Sequence, residues 1–132
     1  MTHDLWLNLP VQALARSIAF YEALGFERQF GPGDSPSSAC FVVGERRVVL
    51  MLFLDPVFAG FAGAPVADTA RGAEVLISIG AASRAEVDAL AERARAAGGQ
   101  VFAPPGGAAA GLYGCGIADP DGHRWNAVHF GA

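Results

Sequence analysis

The stretch Asp119-Pro120-Asp121-Gly122-His123-Arg124-Trp125-Asn126 decides the fold, because it joins a tight-turn sequence to the start of an apolar strand. Pro fixes φ at the second turn position and Gly accepts the left-handed conformation, so the first four residues favour a tight turn. Apolar segments at 112–118 and 124–130 lie on either side of the turn and are typical of strands. The stretch therefore predicts two neighbouring strands near the end of the chain.

A strand, a helix and another strand are expected just before this pair. Ser83-Arg84-Ala85-Glu86 has the pattern of a capping box, in which the Ser hydroxyl and the Glu carboxylate each accept from a free backbone N–H. Apolar residues follow at helical spacing, namely Val87, Leu90, Ala91 and Ala94. Gly98-Gly99 ends the helix. The flanking strands are predicted at 74–80 and 100–103, with Pro104-Pro105 ending the second and a flexible loop at 106–111.

The first half of the chain shows the same order of elements. A strand is predicted at 5–11, a helix at 14–24 that ends at Gly25, and further strands at 26–30, 39–43 and 47–54. The order β-α-β-β-β thus occurs twice, in module one (1–55) and module two (73–132), with a partly ordered connector at 56–72. The fold class is α+β, with two βαβββ modules in a single domain (1–132). We expect the two small sheets to leave a shared concave face that binds a ligand.

Composition excludes several classes of partner. The formal net charge is −4, there is no Lys, and the Arg residues are scattered, which argues against nucleic acid and against an anionic membrane surface. No apolar run reaches the ~20 residues of a membrane span. The N-terminal residues lack the pattern of a signal peptide, so a cytoplasmic location is expected.

Two further features of the composition bear on assembly and redox state. The chain is 52% hydrophobic and 17% charged, and this excess of apolar side chains indicates either a large core or a surface buried against another chain, of which a homodimer interface is the expected form. Cys40 and Cys115 are far apart and have neither metal-binding nor redox spacing, so both are expected to be reduced thiols. Cys115 is interpreted more readily as a small buried residue than as a nucleophile.

Several motifs together resemble the vicinal oxygen chelate superfamily, which contains glyoxalase I, bleomycin-resistance proteins and extradiol dioxygenases. In the first half these are Leu7-Asn8-Leu9-Pro10-Val11 and Arg16-Ser17-Ile18-Ala19-Phe20-Tyr21-Glu22-Ala23-Leu24-Gly25-Phe26. In the second half they lie at 89–99 and 119–125. The resemblance covers nearly the whole chain and implies a glyoxalase/bleomycin-resistance/dioxygenase-like fold. It does not specify a reaction, because the superfamily hosts isomerases, dioxygenases, lyases, thiol transferases and binders.

The resemblance also implies a test for a metal. Metal-dependent members carry His, Gln or Glu near the middle of the first strand and Glu or His on the last strand of each half. The corresponding residues here are Trp6, Met51, Leu76 and Asn126. Trp and Leu cannot ligate, and thioether and amide groups are poor ligands for hard divalent cations. We therefore expect no metal and no cofactor.

The remaining polar residues near these strands do not restore a metal or an acid–base site. His3 is near the N-terminus, His123 follows the turn, and His129 has the opposite strand parity from Asn126. Exposed or capping roles are expected for all three histidines. The pair Asp119 and Asp121 is interpreted as turn chemistry.

The residues in phase with the family's ligand positions, together with two on the neighbouring strand, form the predicted ligand-binding set. They are Trp6, Asn8, Met51, Phe53, Leu76, Tyr113, Cys115, Asn126 and Val128. The set is mainly aromatic and apolar with two amides, which suits a flat organic molecule. Three functions stay open: a metal-free small-molecule binder, a glyoxalase- or dioxygenase-type enzyme with displaced ligands or an unrecognised mechanism, and a protein with a vestigial cleft that acts by association.

Overall fold

The computed structural model describes residues 1–107 and 111–131 and forms two compact units, Met1–Asp68 and Thr69–Ala132. The first unit contains β1 (Trp6–Val11), α1 (Leu14–Ala23), β2 (Glu27–Gln29), β3 (Ser38–Val43), β4 (Val48–Leu54) and α2 (Asp55–Ala62). The second contains β5 (Leu76–Gly80), α3 (Arg84–Ala96), β6 (Gln100–Gly107), β7 (Leu112–Ala118) and β8 (Arg124–Phe130).

Each unit has one four-stranded sheet, and the two sheets have the same topology. The strand order is β1-β4-β3-β2 in the first and β5-β8-β7-β6 in the second. In both, the first strand pairs in parallel with the last, and the remaining pairs are antiparallel. The α+β fold class and the repeated β-α-β-β-β order are therefore confirmed.

One face of each sheet is covered by the helix of its own repeat. In the first unit, Phe20 and Tyr21 of α1 are fully buried, as are Phe41, Leu50 and Leu52 of the sheet. In the second unit, α3 contacts β6, β7 and β8. Its buried residues are those predicted from helical spacing, Val87, Leu90, Ala91 and Ala94. Because side chains alternate along a strand, residues of the opposite parity lie on the uncovered face.

The structure contains the capping hydrogen bonds and the glycine stops from which the helix boundaries are predicted. Ser83 Oγ accepts from the backbone N–H of Glu86 at 3.1 Å, and Glu86 Oε2 accepts from the N–H of Ala82 at 2.6 Å. Gly25 and Gly98, the two predicted helix stops, both have φ of +91°. A side chain with Cβ rarely adopts this conformation, so Gly is favoured at both positions.

The segment predicted as a partly ordered connector contains a helix. Helix α2 begins directly after β4, has Pro56 in its first turn, and ends at Gly63, whose φ is +68°. It contacts β1 and β4 of its own unit. The three Gly and two Phe within this segment obscure the helical pattern, but Pro at the start and Gly just past the end are both usual for a helix.

Strand β6 is longer than predicted. It continues through Pro104 and Pro105 to Gly107, and its pairing with β7 shifts register on both sides of Ala103. Because β6 is an edge strand of its sheet, prolines without an N–H can be accommodated there at bulges. Of the predicted flexible loop at 106–111, residues 108–110 lie outside the described residues.

Within the described ranges, none of the helices combines the length and the apolar composition that crossing a membrane requires.

Candidate functional site

The first candidate surface is the face of the first sheet opposite α1, here called the first open face and formed around Trp6, Asn8, Met51 and Phe53. Strand register places these residues together, because Asn8 pairs with Met51 and Pro10 pairs with Phe53. Trp6 lies two residues before Asn8 and is 62% exposed. The structure therefore brings the four first-half residues of the predicted set onto one face.

Part of this face is covered by its own chain. Cys40 pairs with Met51, and Gly33 of the β2–β3 connection lies above both residues. A Cβ on Gly33 would be 3.2 Å from Cys40 Cβ and 3.3 Å from Met51 Sδ. Cys40 is absent from the predicted set. The Cys40–Met51 pairing requires the register of the β3–β4 hairpin, which the sequence does not specify to the residue.

The environment of Cys40 keeps its thiol neutral. Burial raises the pKa of Cys40, and the nearby Asp34 carboxylate adds to this increase while the Arg28 guanidinium partly opposes it. Arg28 donates from Nη2 to both carboxylate oxygens of Asp34, at 3.1 and 3.0 Å. A neutral, buried thiol is a weak nucleophile, so Cys40 is assigned to packing beneath the Gly33 segment.

Phe53 also has a protein contact on this face. Its ring centroid lies 5.3 Å from that of Phe61 on α2, and the two rings are inclined at 59°. Phe61 itself is 76% exposed. Phe53 and Phe61 together therefore form an aromatic pair at one end of the first open face, with Trp6 toward the other end of β1.

The second candidate surface is the face of the second sheet opposite α3, here called the second open face. Leu76 pairs with Arg124, Ser78 with Asn126, and Gly80 with Val128. Leu76 is 53% exposed. The three second-half residues in phase with the family's ligand positions, Leu76, Asn126 and Val128, thus share this face.

Tyr113 and Cys115, the other two residues of the predicted set, lie on the opposite face of this sheet from Asn126. They pair with His129 and Ala127, whose side chains point toward α3. The Tyr113 hydroxyl donates to Asp88 Oδ1 of α3 at 2.6 Å. Cys115 Sγ lies 3.8 Å from the carbonyl oxygen of Val87. Burial raises the pKa of the Cys115 thiol, which agrees with its interpretation as a core residue.

The two residues at the centre of β7 that share the second open face are glycines. Gly114 pairs with Val128 and Gly116 pairs with Asn126. A Cβ on Gly116 would overlap the ring of Phe102, so this ring lies directly over the glycine. The open strip along β7 is thus filled by an aromatic side chain from the edge strand β6.

A cation completes this arrangement. The Arg124 guanidinium carbon lies 4.3 Å from the centroid of the Phe102 ring. Neither Arg124 nor Phe102 belongs to the predicted set. Two features of the sequence indicate these residues. Arg124 has the same strand parity as Asn126, and the alternating glycines of β7 leave room for a large side chain from a neighbouring strand.

The turn that follows β7 is held by a buried carboxylate. Asp119 is 3% exposed, and its Oδ1 accepts from the backbone N–H of Asp121 at 3.0 Å and of His123 at 2.8 Å. Gly122 has φ of +90°, and its N–H donates to the Asp119 carbonyl at 2.9 Å. These bonds satisfy the turn backbone, which supports the structural interpretation of Asp119.

The residues present do not fit a divalent metal. Within 1–107 and 111–131, no group of three or more His, Cys, Asp or Glu side chains is placed to hold an ion. His129 Nδ1 lies 3.0 Å from the carbonyl oxygen of Ala81, and its strand phase directs it to the α3 side. On the first open face Trp6 and Met51 supply only a thioether, and on the second Leu76 and Asn126 supply only an amide, so each face has poor donors for a hard cation.

Comparison with known proteins agrees with this architecture. The chain is similar over 98% of its length to a hypothetical protein from S. aureus, with 31% identity, 94% of that chain covered and a TM-score of 0.85. A glyoxalase-related enzyme from Fulvimarina pelagi shows 26% identity over 98% of this chain and 88% of its own, with a TM-score of 0.83.

A bleomycin resistance determinant encoded on the transposon Tn5 shares the fold at 20% identity, with coverage of 99% and 100% and a TM-score of 0.65. No curated protein matches this chain in sequence. The family model for the Glyoxalase/Bleomycin resistance protein/Dioxygenase superfamily matches residues 5–127. The chain therefore belongs to the Glyoxalase/Bleomycin resistance protein/Dioxygenase superfamily.

Proposed function

We propose that this chain is a metal-free small-molecule binder of the bleomycin-resistance type, which holds a small, largely apolar or aromatic molecule against an open sheet face. The observation that carries the proposal is Trp6, an aromatic side chain that is 62% exposed and lies on the same sheet face as Asn8 and Met51. An indole beside an amide offers both a stacking surface and a hydrogen-bonding group. Burial of ~100 Å² of apolar surface contributes about 2.5 kcal/mol.

The chemistry of the proposed set favours binding over catalysis. Trp6, Asn8, Met51 and Phe53 on the first face, with Leu76, Asn126 and Val128 on the second, include no imidazole and no carboxylate. General acid–base catalysis requires such a group within reach of the substrate. A glyoxalase- or dioxygenase-type reaction would also need a metal for which the donors are unsuitable.

The first experiment measures binding through Trp6 itself. The chain has two tryptophans, and Trp125 is only 1% exposed, so a ligand on the first open face should change Trp6 fluorescence. A panel of small aromatic compounds, with bleomycin included, is screened by thermal shift. A ligand at 100 times its dissociation constant adds about 2.7 kcal/mol to the free energy of unfolding.

Two variants make the result specific. Trp6→Phe keeps an aromatic surface, so binding should persist while the fluorescence change disappears. Trp6→Ala should weaken binding by about tenfold or more. A ligand whose affinity is the same for Trp6→Ala as for the parent chain would show that this face is not where it binds.

Metal content tests the second part of the proposal. Elemental analysis of the purified protein should find no divalent ion near one per chain. An ion at that ratio, lost on Asn126→Ala, would overturn the metal-free assignment and favour the enzyme alternative.

We also propose that the chain is a cytoplasmic homodimer. Several large apolar side chains are exposed, including Phe30 at 73%, Phe61 at 76% and Phe130 at 73%. Both cysteines are free thiols, as a reducing compartment would keep them. Sedimentation analysis should give twice the chain mass, and a single-chain mass at micromolar concentration would contradict the dimer.

A further inference from the structure

The second open face contains a charged group, the Arg124 guanidinium, that has no part in binding a purely apolar ligand. Arg124 pairs with Leu76 on one side and with Ala118 on the other, so its side chain lies on the face of Asn126. Among residues 1–107 and 111–131, no carboxylate lies within ion-pair distance of its guanidinium, which instead lies over the Phe102 ring. Five N–H donors are therefore left for solvent or a ligand.

The Phe102 ring determines which part of the Arg124 guanidinium is accessible to a ligand. The ring lies over Gly116, where no Cβ competes for space, and Arg124 lies at 4.3 Å from its centroid. Stacking against a ring covers one flat side of a guanidinium and leaves the N–H edge available. Such an edge matches the two oxygens of a carboxylate in a bidentate geometry.

Two uncharged polar side chains, Asn126 and Ser78, lie next to Arg124 on the second open face. Asn126 lies two residues after Arg124 on β8, about 7 Å along the strand, and pairs with Ser78. In the described part of the chain, neither the Asn126 amide nor the Ser78 hydroxyl has a protein hydrogen-bond partner. A cation, an amide and a hydroxyl are thus grouped beside the exposed apolar side chain of Leu76.

We infer that the ligand of this face is an apolar or aromatic carboxylate, whose carboxylate binds Arg124 and whose apolar part lies on Leu76 and Phe102. The inference rests on the proposed function and narrows its ligand class from a small, largely apolar or aromatic molecule to an organic acid with an apolar or aromatic part. The chain as a whole carries a net charge of −4, so selection of an anion must come from this local cation.

The experiment compares a carboxylate with its neutral amide on the intact chain. Naphthoate and naphthamide have the same ring system and differ in charge. Each is titrated into ¹⁵N-labelled protein, and the Nε–H resonance of Arg124, identified by its loss in Arg124→Gln, is followed with the backbone resonances of β5 and β8. Naphthoate should shift the Arg124 resonance and bind at least tenfold more tightly than naphthamide.

Variants separate recognition by Arg124 from a general effect of charge. Arg124→Gln should weaken naphthoate binding by about tenfold and leave naphthamide binding unchanged, whereas Arg124→Lys should lose less because it keeps the charge without the planar edge. Arg84→Gln is the matched control. Its guanidinium also lies over an aromatic ring, Tyr113 at 5.1 Å, but on the α3 side of the same sheet. It should leave both affinities unchanged.

Each outcome decides between the proposals. Equal affinities of the two compounds, unaffected by Arg124→Gln or Arg124→Lys, would overturn the inference and leave the binder proposal in place. An equal loss on Arg84→Gln would overturn it as well, because the effect would then be one of net charge. No perturbation of β5 or β8 by either compound would remove the second open face from the site, while the Trp6 fluorescence experiment tests the first face independently.

Discussion

The two units have the same topology, yet their open faces are built differently. In the first unit, Gly33 covers Cys40 and Met51, Phe61 of α2 contacts Phe53, and Trp6 is an exposed aromatic group on β1. In the second, the facing strand has Gly114 and Gly116, and Phe102 fills the space beneath Arg124. This difference indicates that the residues on the helix-covered face specify the fold, whereas the residues on the open face can vary without altering the strand order.

The largest contrast is expected between the two tryptophans. Trp125 packs on the α3 side and is 1% exposed, so Trp125→Ala should lower the free energy of unfolding by about 3–5 kcal/mol. Trp6→Ala, on the open face, should change it by no more than about 0.5 kcal/mol. Urea unfolding of both variants checks the pair. Comparable losses would mean that Trp6 is part of the core of its unit.

The glycine strip of β7 gives the next largest effect. Gly116→Ala would drive a methyl group into the Phe102 ring, and the strain should cost about 1–3 kcal/mol of unfolding free energy. Gly80→Ala, on the same face with open space around it, is the matched control and should be close to neutral. Adding Phe102→Ala to Gly116→Ala should remove the clash, and a double-mutant cycle measures the coupling. Simple additivity would contradict the contact.

Two ion pairs in the first unit should differ in strength. Arg28–Asp34 is mostly shielded, with side chains 17% and 22% exposed, and Arg28 also lies 4.7 Å from the Phe30 ring centroid. Arg47–Glu27 has the same 3.0 Å separation but side chains 58% and 62% exposed. Asp34→Asn should therefore cost about 1–2 kcal/mol, and Glu27→Gln less than about 0.5 kcal/mol. Thermal unfolding in low and high salt distinguishes them, and equal costs would refute the role of shielding.

The smallest effect concerns the cysteines, which lie on equivalent strands but opposite faces. Burial raises the pKa of both Cys40 and Cys115 above the ordinary value of 9.0. In the unfolded chain the thiols ionise at lower pH than in the folded chain, so their stabilising contribution is complete below pH 9.0 and is lost as pH rises through the raised folded values. Cys115→Ala should flatten the decline of stability measured by urea unfolding at alkaline pH. An unchanged slope in both Cys40→Ala and Cys115→Ala would contradict the prediction.

Local signals predicted most of the fold. The stops at Gly25 and Gly98, the Ser83–Glu86 cap and the Asp119 turn depend on residues close in sequence, and the structure contains all of them. Helix α2 was not predicted, because a helix this short and containing Gly60 depends on tertiary contact with β1 and β4 as well as on its Pro56 start and Gly63 stop. The extension of β6 past its prolines depends on its position at the sheet edge, which no local pattern encodes.

The candidate site was less predictable, because it depends on strand register. Side-chain alternation along a strand suffices to place Trp6 and Asn8 on one face of β1, and the pairing adds Met51 to that face and Ser78 to the face of Asn126. Tyr113 and Cys115 were placed without knowledge of how β7 pairs with β8, and a shift of one residue exchanges the faces. Whether the residues on the open faces bind a ligand stays a prediction until the titrations are done.

The two glycines of β7 on the second open face limit which substitutions this protein can accept there. An alanine at Gly114 would come within 2.8 Å of the Ala127 carbonyl oxygen, and one at Gly116 would strike Phe102, so β7 tolerates little change. Around Arg124, substitutions that alter ligand choice are therefore expected to be tolerated best on the other two strands of this face, at Leu76 and Ser78 on β5 and at Asn126 and Val128 on β8. Libraries that randomise these four positions while fixing both glycines should retain folded members and offer the shortest route to altered ligand choice.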